Sequence, residues 1–170
     1  MNNQIEKVFI EIEKQIRKTI AKNTYVSGEV YVAGFWLFYC DCQTIGQPCF
    51  GYNIIGNEND FKWSPSEWVV DVEENMVDAL SQSYNKLSEL MQGSSEEDWE
   101  QLMLYQYDFY TTLCKDLNAE VSSDLSPFKT WNTSKDFIVG VFEEQESEEF
   151  YTDLINASVG EDVAIKLDVV

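Results

Sequence analysis

Apolar residues recur every three or four positions in the first part of the chain, with charged residues between them. This spacing predicts an amphipathic helix over residues 3–22. Its apolar positions are Ile5, Val8, Phe9, Ile12, Ile16 and Ile20. Because the polar positions carry both signs of charge, we expect the helix to pack on a sheet rather than to lie on a membrane surface.

Residues 30–42 follow a different pattern, rich in β-branched and aromatic side chains and apolar at both odd and even positions. Such a run predicts a central strand that is covered on both faces. The sequence Gly46-Gln47-Pro48 is typical of a turn, and residues 49–55 then predict a returning strand. The first unit is therefore a helix followed by an antiparallel hairpin.

A long helix is expected to begin near Ser64. Ser64 is a candidate N-cap, Pro65 follows it at the first helical position, and Glu67 occupies the third. Apolar residues on one face continue from Val69 to about Met91. This pattern predicts a single helix across that range.

A second long helix follows after a short polar joint at residues 92–95. Ser94 and Ser95 precede Glu97 and Asp98, which is the order of residues in a capping box. An apolar stripe then runs along one face to residue 117. Two antiparallel helices joined at residues 92–95 are the natural interpretation.

The last part of the chain predicts one strand and one helix. Residues 137–142 are apolar on both faces, residues 146–158 have helical spacing, and Gly160 ends that helix. Residues 163–170 are expected to form a tail or an edge strand. The element order is thus α-β-β-α-α-β-α, in a single α+β domain over residues 1–170. We expect an antiparallel or mixed sheet of about three to four strands with helices packed on it.

The chain lacks the residues that several kinds of catalysis and ligand binding require. The chain has no histidine, which removes the usual general base and the commonest metal ligand. Its glycines form neither a dinucleotide-binding nor a P-loop pattern. We therefore expect no enzyme activity, no catalytic residue, no cofactor and no nucleic-acid ligand. A carboxylate-dependent enzyme stays open as an alternative, although a pair of acids at any spacing arises by chance among 31.

Four cysteines raise the question of a metal site. Cys40 and Cys42 would face the same side of a strand, and Cys49 begins the returning strand, so three thiols could converge with Cys114 as a fourth ligand. Their spacing is unusual for zinc, and buried cysteines acting as small apolar residues are the favoured interpretation. The sequence does not decide whether the four thiols converge, and we expect no bound metal.

The expected location is the cytoplasm. The first residues carry no apolar signal-peptide core, and the longest nearly apolar run, residues 30–40, is too short to span a bilayer as a helix. Free thiols suit a reducing compartment. We expect no membrane partner, and the oligomeric state cannot be predicted.

The net charge is the feature of the sequence that bears most on the function of the chain. The chain has 31 acidic and 11 basic residues, a net charge of −20. Five of the cations lie in the first helix beside three acids, so residues 23–170 carry a net charge of −22. A folded body this negative repels nucleic acid and attracts basic surfaces.

The acids concentrate in three clusters near helix starts, where the helix dipole favours negative charge. The candidate partner-binding residues comprise these clusters and two tyrosines on the flanks of the second long helix. They are Glu143, Glu144, Glu146, Glu148, Glu149 and Asp153; Glu96, Glu97 and Asp98; Asp71 and Glu74; and Tyr105 and Tyr107. Tyrosine beside carboxylates is typical of protein-binding surfaces, and packing at the edge of the core is an equal alternative for both tyrosines.

Two segments carry a family resemblance. Phe61-Lys62-Trp63-Ser64-Pro65-Ser66-Glu67-Trp68 precedes a long helix, and Asp136-Phe137-Ile138-Val139-Gly140-Val141-Phe142 precedes an acidic stretch. In this pattern the chain resembles a family of small, acidic, uncharacterised bacterial proteins, some of them presumed immunity proteins of polymorphic toxin systems. The resemblance implies a toxin-neutralising role and supplies no catalytic set to carry over.

These observations favour an acidic cytoplasmic binding protein. The first hypothesis is an immunity protein that neutralises a basic toxin, such as a nuclease, by electrostatically steered occlusion. The alternative is a DNA mimic that antagonises a nucleic-acid-binding enzyme, such as a phage-encoded anti-restriction or anti-CRISPR protein. A third interpretation is a carboxylate- or metal-dependent enzyme, and a fourth is a protein whose acidity serves solubility alone.

Overall fold

Five helices and four strands make up the described chain. The computed structural model describes residues 3–23, 28–37, 45–57, 62–68, 70–71, 73–143 and 147–169. The elements in chain order are α1 (Asn3–Lys22), β1 (Val30–Trp36), β2 (Cys49–Ile54), β3 (Val70–Asp71), α2 (Glu73–Met91), α3 (Glu96–Glu120), β4 (Thr133–Phe142), α4 (Glu148–Val159) and α5 (Glu161–Leu167). The strands form one sheet in the order β3-β2-β1-β4, with β1 antiparallel to β2 and parallel to β4. The α+β class, the mixed sheet and the order of the predicted elements are confirmed, with β3 and α5 as additional elements.

Both faces of the central strands are buried. Phe35 of β1 and Val141 of β4 face a core built mainly with α1, α2 and α3. Val32 of β1 and Phe142 of β4 face a second cluster, which contains residues of α4 and α5 together with Trp68. The predicted two-sided burial of the first strand is confirmed, and it places α3 and α5 on opposite faces of the sheet.

Three glycines lie side by side across the second face. Gly34 of β1 pairs with Gly51 of β2 on one side and with Gly140 of β4 on the other. The missing side chains make room for aromatic rings, because Trp68 and Phe142 meet edge to face there with centroids 5.3 Å apart. A Cβ atom on Gly34 would lie 2.4 Å from the Phe142 ring. The sheet therefore needs glycine at this position to accommodate the Trp68 and Phe142 rings that pack on this face.

The outer edge of β4 is closed by side chains of two helices. The Asn118 amide of α3 donates to the Val139 carbonyl at 2.8 Å and accepts from the Val139 N–H at 2.8 Å. The Ser158 hydroxyl of α4 accepts from the Val141 N–H at 3.2 Å. An open strand edge invites pairing with another chain. Asn118 and Ser158 satisfy these backbone groups within the domain and tie both helices to the sheet.

The predicted helix start at Ser64 is wrong. Residues Pro65–Glu67 form a single 3-10 turn, the backbone extends again at Trp68, and α2 begins only at Glu73. The Trp68 indole donates to the Lys62 carbonyl at 3.3 Å and its ring packs against the sheet. Anchoring Trp68 in this way favours a turn and the short strand β3 over continuous helix.

The predicted tail or edge strand at residues 163–170 is also wrong, because Glu161–Leu167 is a helix. Gly160, with φ 91°, separates it from α4 and accepts hydrogen bonds from the first turn of α5. Ala164 then packs against the sheet. A strand pairing with β4 here would need its outer edge, which Asn118 and Ser158 occupy.

Some predicted boundaries move by a few residues. β4 begins at Thr133 instead of residue 137, because Thr133 pairs with Val30 ahead of an irregularity in the ladder. The described part of the first strand ends at Trp36, and residues 38–42 of the predicted strand lie outside the described residues.

Replacing Gly34 with alanine should destabilise the fold, because the new Cβ would meet the Phe142 ring at 2.4 Å and the Gly140 carbonyl oxygen at 2.8 Å. Overpacking of this kind costs about 1–3 kcal/mol. Urea unfolding of Gly34→Ala measures the loss. Gly51→Ala is the matched control, because its Cβ would come no closer than 3.2 Å to a flexible ring edge. Equal losses in the two variants would contradict the close approach at Gly34.

Replacing Asn118 with alanine should lower the free energy of unfolding by about 1–3 kcal/mol, the usual effect of leaving buried backbone groups unsatisfied. It should also promote self-association, measured by sedimentation velocity, because the edge of β4 opens. Asn132→Ala serves as control, since that exposed side chain makes only a 3.4 Å hydrogen bond to Gly28. If both variants are as stable and as monomeric as the parent, Asn118 does not protect the edge.

Candidate protein-binding surface

Helix α3 begins with a reciprocal cap, as the sequence predicted. The Ser95 hydroxyl accepts from the Asp98 N–H at 3.2 Å, and the Asp98 carboxylate accepts from the Ser95 N–H at 3.0 Å and from its hydroxyl at 2.7 Å. The hydrogen bonds from Ser95 lower the pKa of the Asp98 carboxyl below its ordinary value. Asp98 is therefore held ionised and fixed in place.

The acidic cluster at the start of α3 faces solvent. Glu96, Glu97 and Asp98 are all exposed, and all three lie in the first turn. The helix dipole favours carboxylates at that position, which explains their placement locally. Asp108 is also exposed but lies in the middle of α3, where the dipole gives no such advantage.

A groove of about 550 Å³ runs beside this cluster. We call it the α3 groove. Its lining combines apolar residues of three helices with polar residues of α3 and of the turn before it. The described lining residues are Ile5, Leu90, Met91, Ser94, Asp98, Gln101, Leu102, Leu104, Tyr105 and Asp108. The described lining therefore includes two carboxylates and no Lys or Arg.

Leu104 is the unusual residue of the groove. Its side chain is 65% exposed, although the neighbouring Leu102 is buried in the core. The predicted apolar stripe of α3 does not include Leu104, which points outward between exposed acids. In the sequence, Leu104 can be recognised as an apolar residue outside the buried stripe of α3. The groove beside it depends on how α1 and α2 pack, which the spacing of apolar residues does not predict.

The groove has a negative electrostatic environment. The pKa of the Tyr105 phenol is raised, first by partial burial and then by the negative charges of Glu6 and Asp108. The cations of α1 do not line it: Arg17 pairs with Glu13 at 2.8 Å and with Glu120, at the far end of α3, at 2.6 Å. The field at the groove thus favours positive ligand groups.

A second groove of about 610 Å³ lies at the joint between α2 and α3 and shares Met91 and Ser94 with the α3 groove. Glu89 and Glu96 contribute carboxylates to it, and Met91 and Trp99 contribute apolar surface. Two grooves therefore adjoin at this joint, and each combines carboxylates with an apolar component.

The predicted acidic cluster at residues 143–153 is partly exposed and partly buried in the structure. Glu148, Glu149 and Asp153 are exposed on α4, whose N-cap is Ser147. Glu143 is instead only 1% exposed, and the Tyr107 hydroxyl donates to its carboxylate at 3.2 Å. Glu143 therefore contributes nothing to an exposed acidic surface in the free chain.

Four other predicted residues lie wholly or partly outside the described structure. Glu144 and Glu146 fall outside the described residues. Asp71 lies in β3, where the sequence predicted helix, and Glu74 lies in the first turn of α2, but their side chains are not among those described.

The two candidate tyrosines differ in exposure. Tyr107 is buried, with its ring 5.1 Å from that of Phe150 in an edge-to-face contact, so it packs between α3 and α4. Tyr105 is half-buried, with its ring 4.9 Å from that of Phe9 on α1, and it also lines the α3 groove. Tyr107 therefore follows the core-edge interpretation, whereas Tyr105 retains some accessible surface.

The cysteines give no metal site within the described structure. Cys114 is completely buried in the core, and burial raises the pKa of its thiol. Cys49 is also buried, and Cys40 and Cys42 fall outside the described residues. Among the residues that are described, no three His, Cys, Asp or Glu side chains group closely enough to hold a metal ion.

Comparisons with protein-family models, curated proteins and solved structures find no match to the chain. The resemblance to bacterial immunity proteins therefore stays a prediction from the sequence. No helix in the described parts of the chain is both long and apolar enough to cross a membrane.

Replacing Ser95 with alanine should lower the free energy of unfolding at neutral pH by about 1 kcal/mol, as is usual for an N-cap. The folded-state pKa of Asp98 lies below 3.8, so its bonds to Ser95 stabilise the fold above that pH and are lost as the pH falls through the folded value. The difference between parent and variant should therefore shrink below pH 3.8. Urea unfolding across this range measures it.

Ser81→Ala is the control for this titration, because the Ser81 hydroxyl donates to the Asp78 backbone carbonyl, which does not titrate. Its effect on stability should not change with pH. A Ser95→Ala difference that is equally constant would show that the Asp98 carboxylate does not contribute to the cap.

Proposed function

We propose that this chain is an acidic inhibitor that binds a basic protein, and that it acts as an immunity protein against a toxin such as a nuclease. The observation that carries the proposal is the α3 groove, in which exposed carboxylates surround the exposed side chain of Leu104. The net charge of −20 supports the same class of partner.

The net negative charge alone would not distinguish a role in protein binding from a role in solubility. Acids at helix starts stabilise the helix dipole, and this accounts for many positions in the chain. Asp108 and Leu104 are not explained by the helix dipole, because Asp108 lies in mid-helix and Leu104 is a 65% exposed apolar side chain beside acids. Protein interfaces combine an apolar centre with a polar rim, and the α3 groove has both.

Inhibition would follow from occupying a cationic cleft. A nuclease must attract phosphate, so its active site presents Lys and Arg. The carboxylates of Glu96, Glu97 and Asp108 would pair with those cations, while Leu104 and Tyr105 contribute apolar contact. The bound inhibitor then excludes the nucleic acid, and its long-range field accelerates association.

Neutralising the start of α3 should weaken binding to the protein encoded directly upstream of this chain, which is expressed and tested as the candidate toxin. Exposed ion pairs contribute about 0.2–1 kcal/mol each, so Glu96→Gln with Glu97→Gln should raise the dissociation constant by about two- to thirtyfold. Calorimetry gives the affinity, and nuclease activity titrated with the inhibitor gives the functional effect.

The matched control is Glu161→Gln with Asp162→Asn, which removes the same charge from α5 on the opposite face of the sheet. This pair should change affinity far less. Equal losses for the two pairs would mean that net charge acts without a defined surface. Absence of any binding between the parent chain and the toxin would refute the proposed function.

A further inference from the structure

The walls of the α3 groove determine what kind of segment can bind there. Ile5 belongs to α1, Leu90 and Met91 belong to α2, and the remaining lining residues belong to α3 except Ser94, which lies in the turn before it. Within a helix the backbone hydrogen bonds are internal, so these walls offer no strand edge to an extended peptide. A partner helix satisfies its own backbone in the same way and can place side chains between the three helices.

The exposed face of α3 specifies the chemistry of that helix. Glu97, Gln101, Leu104 and Asp108 recur at spacings of four, three and four residues, so they share one face of the helix. All four are exposed. One apolar residue thus lies within an acidic stripe, and Asp98 places a carboxylate at the near end of the groove.

Distances along α3 set the spacing of the complementary charges. Asp98 and Asp108 are ten residues apart, which is about 15 Å along the helix axis. Leu104 and Tyr105 lie between them and Leu90 faces them across the groove. A partner helix lying along α3 therefore meets negative charge at two points about three turns apart, with an apolar site between them.

We propose that the α3 groove binds one basic amphipathic helix, which inserts an apolar side chain between Leu90, Leu104 and Tyr105 and places Lys or Arg against Asp98 and Asp108. This assignment rests on the proposed function and specifies its partner. The charge complementarity selects a cationic helix over an apolar or an acidic one.

A designed peptide tests the groove without the natural partner. The probe is a fluorescent alanine-based helix of about 18 residues, long enough to be partly helical, with one Arg about seven positions before a Leu and another about four positions after it, so that all three share one face. Fluorescence anisotropy measures its binding to the full chain. A peptide with Glu in place of Arg should not bind, and one with both Arg residues at the same end should bind more weakly.

Matched substitutions in the chain test whether the peptide binds in the α3 groove. Leu104→Glu should weaken binding by about tenfold or more, because it places a charge in the apolar centre. Leu125→Glu is its control, since Leu125 is 79% exposed and follows the opposite end of α3. Asp108→Asn should weaken binding by about two- to fivefold, and Asp153→Asn on α4 should not change it. Circular dichroism confirms that each variant is folded.

Two results would overturn the assignment. The first is equal binding of the Arg and Glu peptides, or no binding of the Arg peptide at all. The second is an equal effect of Leu104→Glu and Leu125→Glu. The proposed function is judged separately with the toxin. If the toxin binds the parent and Leu104→Glu equally well, the groove assignment fails and the proposed function stands, whereas a toxin that binds neither refutes the proposed function.

Discussion

The pairing of β1 with β4, both buried on both faces, is the constraint on which the rest of the fold depends. Two buried faces require helices on both sides, which α1–α3 and α4–α5 provide. One of these faces has room for its aromatic cover only because Gly34 and Gly140 lie side by side. Because β4 ends the sheet, α3 and α4 also approach its edge, where Asn118 and Ser158 bind the backbone. Helix α3 is thus fixed by the sheet itself.

This fixed position has a consequence for the candidate binding surface. One side of α3 packs on the sheet and on α1, and the opposite side carries the exposed acids and Leu104. A rigid helix loses little conformational freedom when it binds, which favours affinity. The self-repulsion of a domain with net charge −20 weakens the fold. The buried core must offset this repulsion, and a basic partner would relieve it.

Local signals predicted well what local interactions determine. The spacing of apolar residues predicted α1, and the Ser95–Asp98 capping box predicted the start of α3, because both depend on residues a few positions apart. The edge contacts of Asn118 and the burial of Glu143 depend on distant partners, such as Tyr107, 36 residues from Glu143. The sequence alone therefore could not separate Glu143 from its exposed neighbours. The α3 groove likewise arises from the packing of three helices.

The central claim is that electrostatic attraction brings a basic protein to the start of α3. Its most direct test is the association rate of the purified chain with the protein encoded directly upstream, taken as the candidate toxin and measured by stopped flow across a range of salt concentrations. The account predicts a rate that falls steeply as salt rises, with a smaller slope when Glu96, Glu97 and Asp108 are neutralised. A rate that is independent of salt, or a slope that these substitutions leave unchanged, would contradict it.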